Sequence, residues 1–296
     1  MKANASPYKN LTIVSTGLSG LDRVIGLGGI PTRKITELSG SWSVGKSTLA
    51  LTIIAEAQKR KMPVVLADTE IGFSQDYAEV LGVDCSDLDL IQERFGEDVL
   101  DALEEWIEKH KNAVAVLDSI GGLLIRAEAE KMSGEKVIGG QAKLIATFCR
   151  KIVPLLAIKN IALIVVNHEF TDLMSGKLMT SGGAKLAYHK SLWLRLKKEN
   201  KRAMKGDQQV GDVISVEVRK NKLAATLHQK TELTMIYGQG FHREADLMET
   251  AKEKLFKKEG QFFTWEGERV ARGENGLRDW FKIPENAERV KAGLAS

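Results

Sequence analysis

Between Lys34 and Ala57 the chain reads KITELSGSWSVGKSTLALTIIAEA: an apolar run, a glycine-bearing octet and an apolar helix-like stretch in direct succession. The octet Gly40, Ser41, Trp42, Ser43, Val44, Gly45, Lys46, Ser47 satisfies G-x-x-x-x-G-K-[ST] at every required position. Its glycines let backbone N–H groups turn inward around phosphates. Lys46 supplies a point charge for the β and γ oxygens, and Ser47 offers a hydroxyl to magnesium. Thr48 follows and joins the same nucleotide-binding set. The run Lys34–Leu38 reads as a buried strand, and Ser47–Ala57 as the helix whose N-terminus faces the anion. Strand, loop and helix in that order predict an α/β fold that binds a nucleoside triphosphate with Mg2+.

Outward from this unit, strand-like and helix-like segments alternate as far as about Val166. MPVVLAD at Met62–Asp68, AVAVL at Ala113–Leu117 and IALIVV at Ile161–Val166 are almost continuously apolar, as parallel strands covered on both faces must be. Helices are expected over Gln75–Leu81, Asp98–His110 and Gln141–Ile158; in the second, Val99, Leu100, Leu103, Trp106 and Ile107 share one face. After Ser191 the pattern alternates, at Ser191–Leu196 and again at Val213–Arg219. That predicts antiparallel strands on one edge of the sheet, with the polar, basic stretch Lys197–Gly211 as a hairpin-like turn between them. From Arg243 the chain is highly charged and mostly helical, broken by a small hairpin at Phe262–Arg269. The expected organisation is a short N-terminal segment, 1–30, a P-loop ATPase core with a mainly parallel sheet and antiparallel edge strands, 31–242, and a small α+β lobe, 243–296.

The bulk numbers narrow the class without choosing within it. At 296 residues, 43% hydrophobic and 28% charged, the chain can bury one large core and an appendage. A net charge of +4 permits a polyanionic partner without requiring one. Cys85 and Cys149 lack metal-ligand spacing and the histidines are scattered, so no metal cluster is expected, and a reducing cytosol is the simplest setting. The first residues lack the apolar core of a signal peptide, and no apolar run reaches spanning length.

Triphosphate hydrolysis needs a second carboxylate for the metal and a group that activates water. Asp118 ends the strand Ala113–Leu117, at the edge where a carboxylate faces the loop. Glu70 follows the strand that ends at Asp68 and can accept a proton from water there, with Asp68 as its competitor. Asn167 and His168 close the next strand at the same edge; a histidine in that place can sense a γ-phosphate or be structural.

Several separate blocks together resemble the RecA family of strand-exchange recombinases. They are STGLSGL at Ser15–Leu21, GGIP at Gly28–Pro31, the phosphate loop, DTEIG at Asp68–Gly72 and LGVD at Leu81–Asp84. LDSIG at Leu117–Gly121, VNH at Val166–His168, SGG at Ser181–Gly183, RKNKLAA at Arg219–Ala225 and YGQG at Tyr237–Gly240 follow in family order. A weaker match continues through FTWEGER at Phe263–Arg269. The Asn167-His168 pair stands where bacterial members usually have Asn-Gln, which leans toward the phage-type members. The resemblance implies a RecA-like core, with Glu70 as the catalytic glutamate, Asp118 as the Walker-B carboxylate, His168 at the γ-phosphate sensor and Tyr77 packed on the adenine. Lys220 and Lys222 match a pair that reaches the neighbouring subunit's ATP. Such cations stabilise charge at a transferring phosphoryl group; by themselves two lysines there also read as solvated edge-strand residues.

Two loops would then meet DNA. One spans about Arg126 to Gly140 with Arg126, Lys131 and Lys136; the other spans about Glu169 to Gly183 with Phe170, Met174, Lys177, Gly182 and Gly183. The second also carries Leu173, Leu178 and Met179 in a polar setting, apolar residues that either wedge between bases or form a short buried helix. Phosphate-led contacts make binding salt-dependent and tolerant of base sequence. The implied activity is a DNA-dependent ATPase that assembles as a helical filament on single-stranded DNA and pairs it with double-stranded DNA. Single-strand-binding and loader proteins are the further partners, and the cytoplasm of a bacterium or of a phage-infected host the location. A dozen or so mostly polar residues precede Ile13, fewer than the helix and strand with which the family docks on the next subunit; an accessory ATPase, a recombination mediator or ring-forming motor, is the alternative that draws on this. A module in which ATP is only a conformational ligand is a third reading, against which Glu70 stands.

Overall fold

Strands that are apolar at every position must be covered on both faces, and the central sheet is built that way. The computed structural model describes residues 11–130, 139–171 and 178–295. Lys131, Lys136, Met174 and Lys177, four of the residues expected to meet DNA, and Leu173 beside them lie outside those residues. The chain opens with β1 (Ile13–Val14), α1 (Ser19–Ile25) and β2 (Ile30–Pro31), followed by β3 (Ile35–Gly40), α2 (Lys46–Lys59) and β4 (Val64–Asp68). Then come α3 (Gln75–Val80), β5 (Asp89–Ile91), α4 (Gly96–Lys109), β6 (Val114–Asp118), α5 (Arg126–Ala129) and α6 (Gly140–Lys159). The second half continues with β7 (Ala162–Thr171), β8 (Leu178–Thr180), α7 (Gly183–His189), β9 (Leu192–Lys205), β10 (Gln208–Asn221), β11 (Lys230–Ile236) and β12 (Gly240–Phe241). A C-terminal lobe holds α8 (Arg243–Lys254), β13 (Lys257–Glu259), β14 (Phe262–Trp265), β15 (Glu268–Arg272), α9 (Gly273–Phe281) and α10 (Pro284–Ala295).

The main sheet runs β12-β11-β10-β9-β3-β7-β6-β4-β5, with β8 paired to the far end of β7. From β9 through β3, β7, β6 and β4 to β5 the neighbours are parallel; β10, β11 and β12 add antiparallel at one edge. Within each parallel strand alternate residues serve opposite cores. Leu38, Leu66, Val116 and Ile164 face α1, α2 and α3, whereas Ile35, Val65, Leu117 and Val165 face α4, α6 and α7. The apolar stripe of α4 is buried as its periodicity requires; each such aliphatic side chain contributes about 1.5–3 kcal/mol.

One expectation is corrected. Lys197–Gly211 is not a turn: β9 and β10 run through it as a long hairpin, reversed at Gly206 and Asp207 alone. Beyond Leu196 most of the side chains of β9 lie in solvent, so the apolar alternation that marks a strand vanishes while the hydrogen-bond ladder continues. Gly206, at φ +61°, supplies the left-handed residue that a two-residue hairpin loop requires.

The first elements are part of the same body. Ile13 and Val14 pair with Pro31 and Ile30, and Leu21, Val24 and Ile25 of α1 lie in the core that covers α2. The lobe has its own small core around Phe256, Phe263, Trp265, Leu277 and Phe281. It is tied to the main body through α1, where the backbone N–H of Gly20 donates to Asp246 at 3.0 Å and Arg23 pairs with Glu253 at 2.7 Å. Among the described residues no helix is long and apolar enough to cross a membrane.

Candidate functional site

The parallel strands end together on one edge, and the chemistry-bearing residues collect there. After β3 the backbone curls through Ser43 and Gly45 with positive φ (56° and 84°) before α2 begins at Lys46. Gly45 is the residue before the helix and has no side chain to cap it, so the first-turn N–H groups are left to an anion. A Cβ on Gly45 would also lie 2.8 Å from Met235 Sδ and 3.0 Å from Phe241, which ties the loop to β11 and β12. Val44 anchors the loop in the core, while Trp42 stands in solvent.

Lys46 is buried and donates to the carbonyls of Gly40 (3.1 Å) and Ser41 (2.7 Å), folded back over the loop it serves. Burial lowers its pKa, and the carboxylates of Asp118, Glu70 and Glu169 oppose that. Asp118 closes β6 in hydrogen-bond contact with Ser47. Its pKa is raised, first by burial and further by Glu70 and Asp68, while the Ser47 hydroxyl pulls the other way. A hydroxyl and a desolvated carboxylate side by side are the oxygen donors that a hard divalent cation takes, and so the residues present fit Mg2+.

Asp68 and Glu70 have different occupations. The Asp68 carboxylate is buried and accepts from Glu70 N (3.2 Å), Phe73 N (2.9 Å) and Gln92 Nε2 (2.9 Å), shaping the loop after β4. Glu70 projects into the edge itself. Its Oε1 accepts from Ser119 Oγ at 2.6 Å and lies 3.2 Å from His168 Nε2, which donates in its Nε2–H tautomer. The opposite ring nitrogen of His168 is buried without a hydrogen-bond partner among the described residues. Thr69 Oγ1 donates to Ser119 O (2.7 Å) and accepts from Ser119 N (3.0 Å), tying the ends of β4 and β6 together. A Cβ on Gly122 would meet Thr69 Oγ1 at 2.3 Å and Glu70 Cγ at 3.0 Å, so only glycine leaves Glu70 its place. Ser119, Thr69 and Gly122 were given no role in the sequence reading; their signal was the block DTEIG for Thr69, and the block LDSIG with the glycine after it for the other two. Tyr77 OH and Thr48 Oγ1 share a hydrogen bond of 3.0 Å beside the first turn of α2.

Lys220 and Lys222 are not at this edge. Lys220 is opposite Trp193, which pairs with Glu37, and Asn221 is opposite Leu192, which pairs with Thr36 near the start of β3. The phosphate loop leaves the other end of β3, four residues or about 13 Å away. Lys220 Nζ donates to Ala187 O (2.6 Å), and Lys222 Nζ donates to Tyr188 O (2.8 Å), at the end of α7. Burial first, then the charge of Lys222, lowers the pKa of Lys220 to about 8.

Of the residues expected to meet DNA, Arg126 is paired to Asp98 and lies 4.4 Å over the Phe95 ring, so its charge is engaged within the chain. Phe170 on β7 is opposite Met179 on β8, both about half exposed. Gly182 and Gly183 turn into α7 with φ of 87° and 67°.

The family model described as the RecA N-terminal domain matches residues 1–242. The chain is similar to Protein RecA of Deinococcus radiodurans, 34% identical over 278 residues that cover 93% of this chain and 76% of that protein. It is similar to Protein RecA of Thermus aquaticus, 33% identical over 297 residues, 99% of this chain and 87% of the other. With Protein RecA of Allochromatium vinosum it shares 32% identity over 291 residues, covering 97% and 83% of the two chains.

Proposed function

The chain belongs to the RecA family, and on that premise we propose how its residues divide the family's work. It is a DNA-dependent ATPase that performs homologous pairing and strand exchange in recombination and repair. The family uses ATP and Mg2+, binds DNA and forms filaments.

In this reading the backbone of Gly40–Ser47 and the Lys46 ammonium hold the triphosphate, Thr48 and Tyr77 border the base, and Ser47 and Asp118 hold Mg2+. The metal, when bound, neutralises charge on the β and γ oxygens. Glu70 takes the proton of the attacking water, or orients that water, and Ser119 and His168 aim its carboxylate. His168 therefore touches the catalytic group directly, and couples the γ-phosphate to the strand that carries the second DNA loop. Lys220 and Lys222 act on the neighbouring subunit's nucleotide, because about 13 Å of strand separates them from their own. Phe170, Gly182 and Gly183, with the charged residues of both loops, meet single-stranded and then double-stranded DNA. Residues 31–242 are the ATPase unit and 243–296 the lobe. Single-strand-binding and loader proteins are proposed partners, and the cytoplasm the proposed location.

The observation that carries this reading is Glu70 Oε1, held by Ser119 at 2.6 Å and His168 at 3.2 Å on the edge that carries Lys46 and Asp118. Phosphate release with and without single-stranded DNA, with electron microscopy of the same sample, tests it. A tenfold or greater stimulation with helical filaments is expected; a DNA-indifferent rate or closed rings would overturn it.

A further inference from the structure

Beneath the catalytic edge lies a buried polar layer that the reaction as described does not use. Glu37, in the middle of β3, is fully buried and is the one charged residue of that strand. Its carboxylate pairs with Lys190, which is 2% exposed, and accepts a second hydrogen bond from Asn167 Nδ2 at 3.1 Å. Breaking one side of such a pair is costly, whereas neutral residues of similar shape often replace both at little cost in stability. A charged pair at this depth is therefore unexplained by stability alone.

What it connects is specific. Asn167 precedes His168 in β7, so the two side chains leave opposite faces of the sheet. Asn167 also donates to Ser181 O (2.8 Å) and accepts from Ser181 N (3.2 Å), gripping the segment by which the second loop returns. Lys190 immediately follows α7, whose last carbonyls, Ala187 and Tyr188, receive Lys220 and Lys222. Glu37 thus meets, on one carboxylate, the anchor of the DNA loop and the anchor of the helix end that the two lysines hold. Two residues further along β3, Ser39 and, from β9, Arg195 both hydrogen-bond Glu169, which extends the polar layer toward the edge.

We infer that Glu37 and Lys190, with Asn167, are positioning residues that couple the nucleotide edge to the second DNA loop and to the α7 end. They touch neither substrate. They hold β7, Ser181 and α7 in one arrangement, so that a shift of His168 on ATP binding moves all three together. The inference rests on the functional reading above.

The test is the ATP-induced gain in affinity for a fluorescent single-stranded oligonucleotide, measured on the full chain as the ratio of Kd without and with a non-hydrolysable ATP analogue. Wild-type protein is expected to show a gain; its absence there would refute the functional reading and not this one. Double replacement by Glu37→Gln with Lys190→Met removes both charges and keeps volume. It is expected to melt cooperatively and bind the analogue within about threefold of wild type, yet lose at least tenfold of the gain. Lys190→Arg keeps the charge and is expected to preserve most of it. If the double variant retains the wild-type gain, the pair is structural only and the inference falls. If the double variant fails to fold, Asn167→Ser, which cuts the tie to Ser181 and leaves the ion pair, carries the same comparison: loss supports the coupling, and a retained gain overturns it.

Discussion

Two carboxylates two residues apart, Asp68 and Glu70, compete in the sequence for the same role, and what separates them is the number of donors each already satisfies. Asp68 is itself buried and accepts two backbone N–H groups and one amide. Glu70 is half exposed, with one oxygen held by a hydroxyl and an imidazole. No pattern of residue types carries that difference, because it depends on where the loop after β4 folds against Ser119. Glu70→Gln keeps an acceptor for Ser119 and removes the base. Turnover is expected to fall at least ~100-fold, the usual scale for losing a general base, with ATP and single-stranded DNA affinity within a few-fold of wild type. Filter binding and phosphate release on one preparation check it; loss of nucleotide binding would assign Glu70 to the pocket and not to the chemistry.

At the scale of elements, periodicity made the parallel strands legible because burial on both faces leaves a continuous apolar run. It lost the outer half of β9, whose mostly solvated side chains carry no such pattern, with the mostly polar start of β10 that pairs to it, and β13, in which all three residues are exposed. It also ended β7 at Val166, since Asn167, His168 and Glu169 are polar for the sake of the site. The packing of α8 on α1 was equally invisible, because Asp246 and Glu253 reach Gly20 and Arg23 from more than 200 residues away in the chain. Burial raises the pKa of Asp246 to about 6, against the hydrogen bond from Gly20, with the charge of Asp22 adding to it. Asp22 is likewise raised to about 6, by burial first. A carboxyl whose folded pKa lies above its unfolded value near 4 favours folding in its protonated form. That contribution is complete below about pH 4 and is lost as pH rises through 6. The chain should therefore gain stability on going from pH 7.5 to pH 5. Asp246→Asn, which keeps an acceptor for Gly20, should be more stable than wild type at pH 7.5 by about 1–3 kcal/mol, the size of a two-unit shift shared between coupled acids. Urea melts of both proteins at the two pH values measure it; an equal pH response in both would rule out Asp246 as the source.

Across the whole molecule, the sheet carries its catalytic edge at one end of β3 and the Lys220–Lys222 pair at the other, so one subunit holds two halves that cannot meet. On the proposed reading, a head-to-tail contact between copies, repeated, brings each pair to the next subunit's nucleotide and generates a helix when the rotation does not close. Lys220→Ala should then lose the stabilisation of the transferring phosphoryl group, ~1,000-fold where a single cation carries it and less with Lys222 in place. Mixing provides the decisive measurement. A Lys220→Ala subunit has an intact nucleotide edge and lacks the lysine; a Glu70→Gln subunit has the lysine and lacks the base. Co-assembled at equal amounts on single-stranded DNA, each junction with the first subunit's edge facing the second subunit's lysine is complete. Random neighbours in a one-directional array make about a quarter of all junctions complete, so the mixture should recover about a quarter of the wild-type rate although each protein alone is nearly inactive. If the lysines serve their own subunit's ATP, no junction is complete and the mixture stays as inactive as its parts.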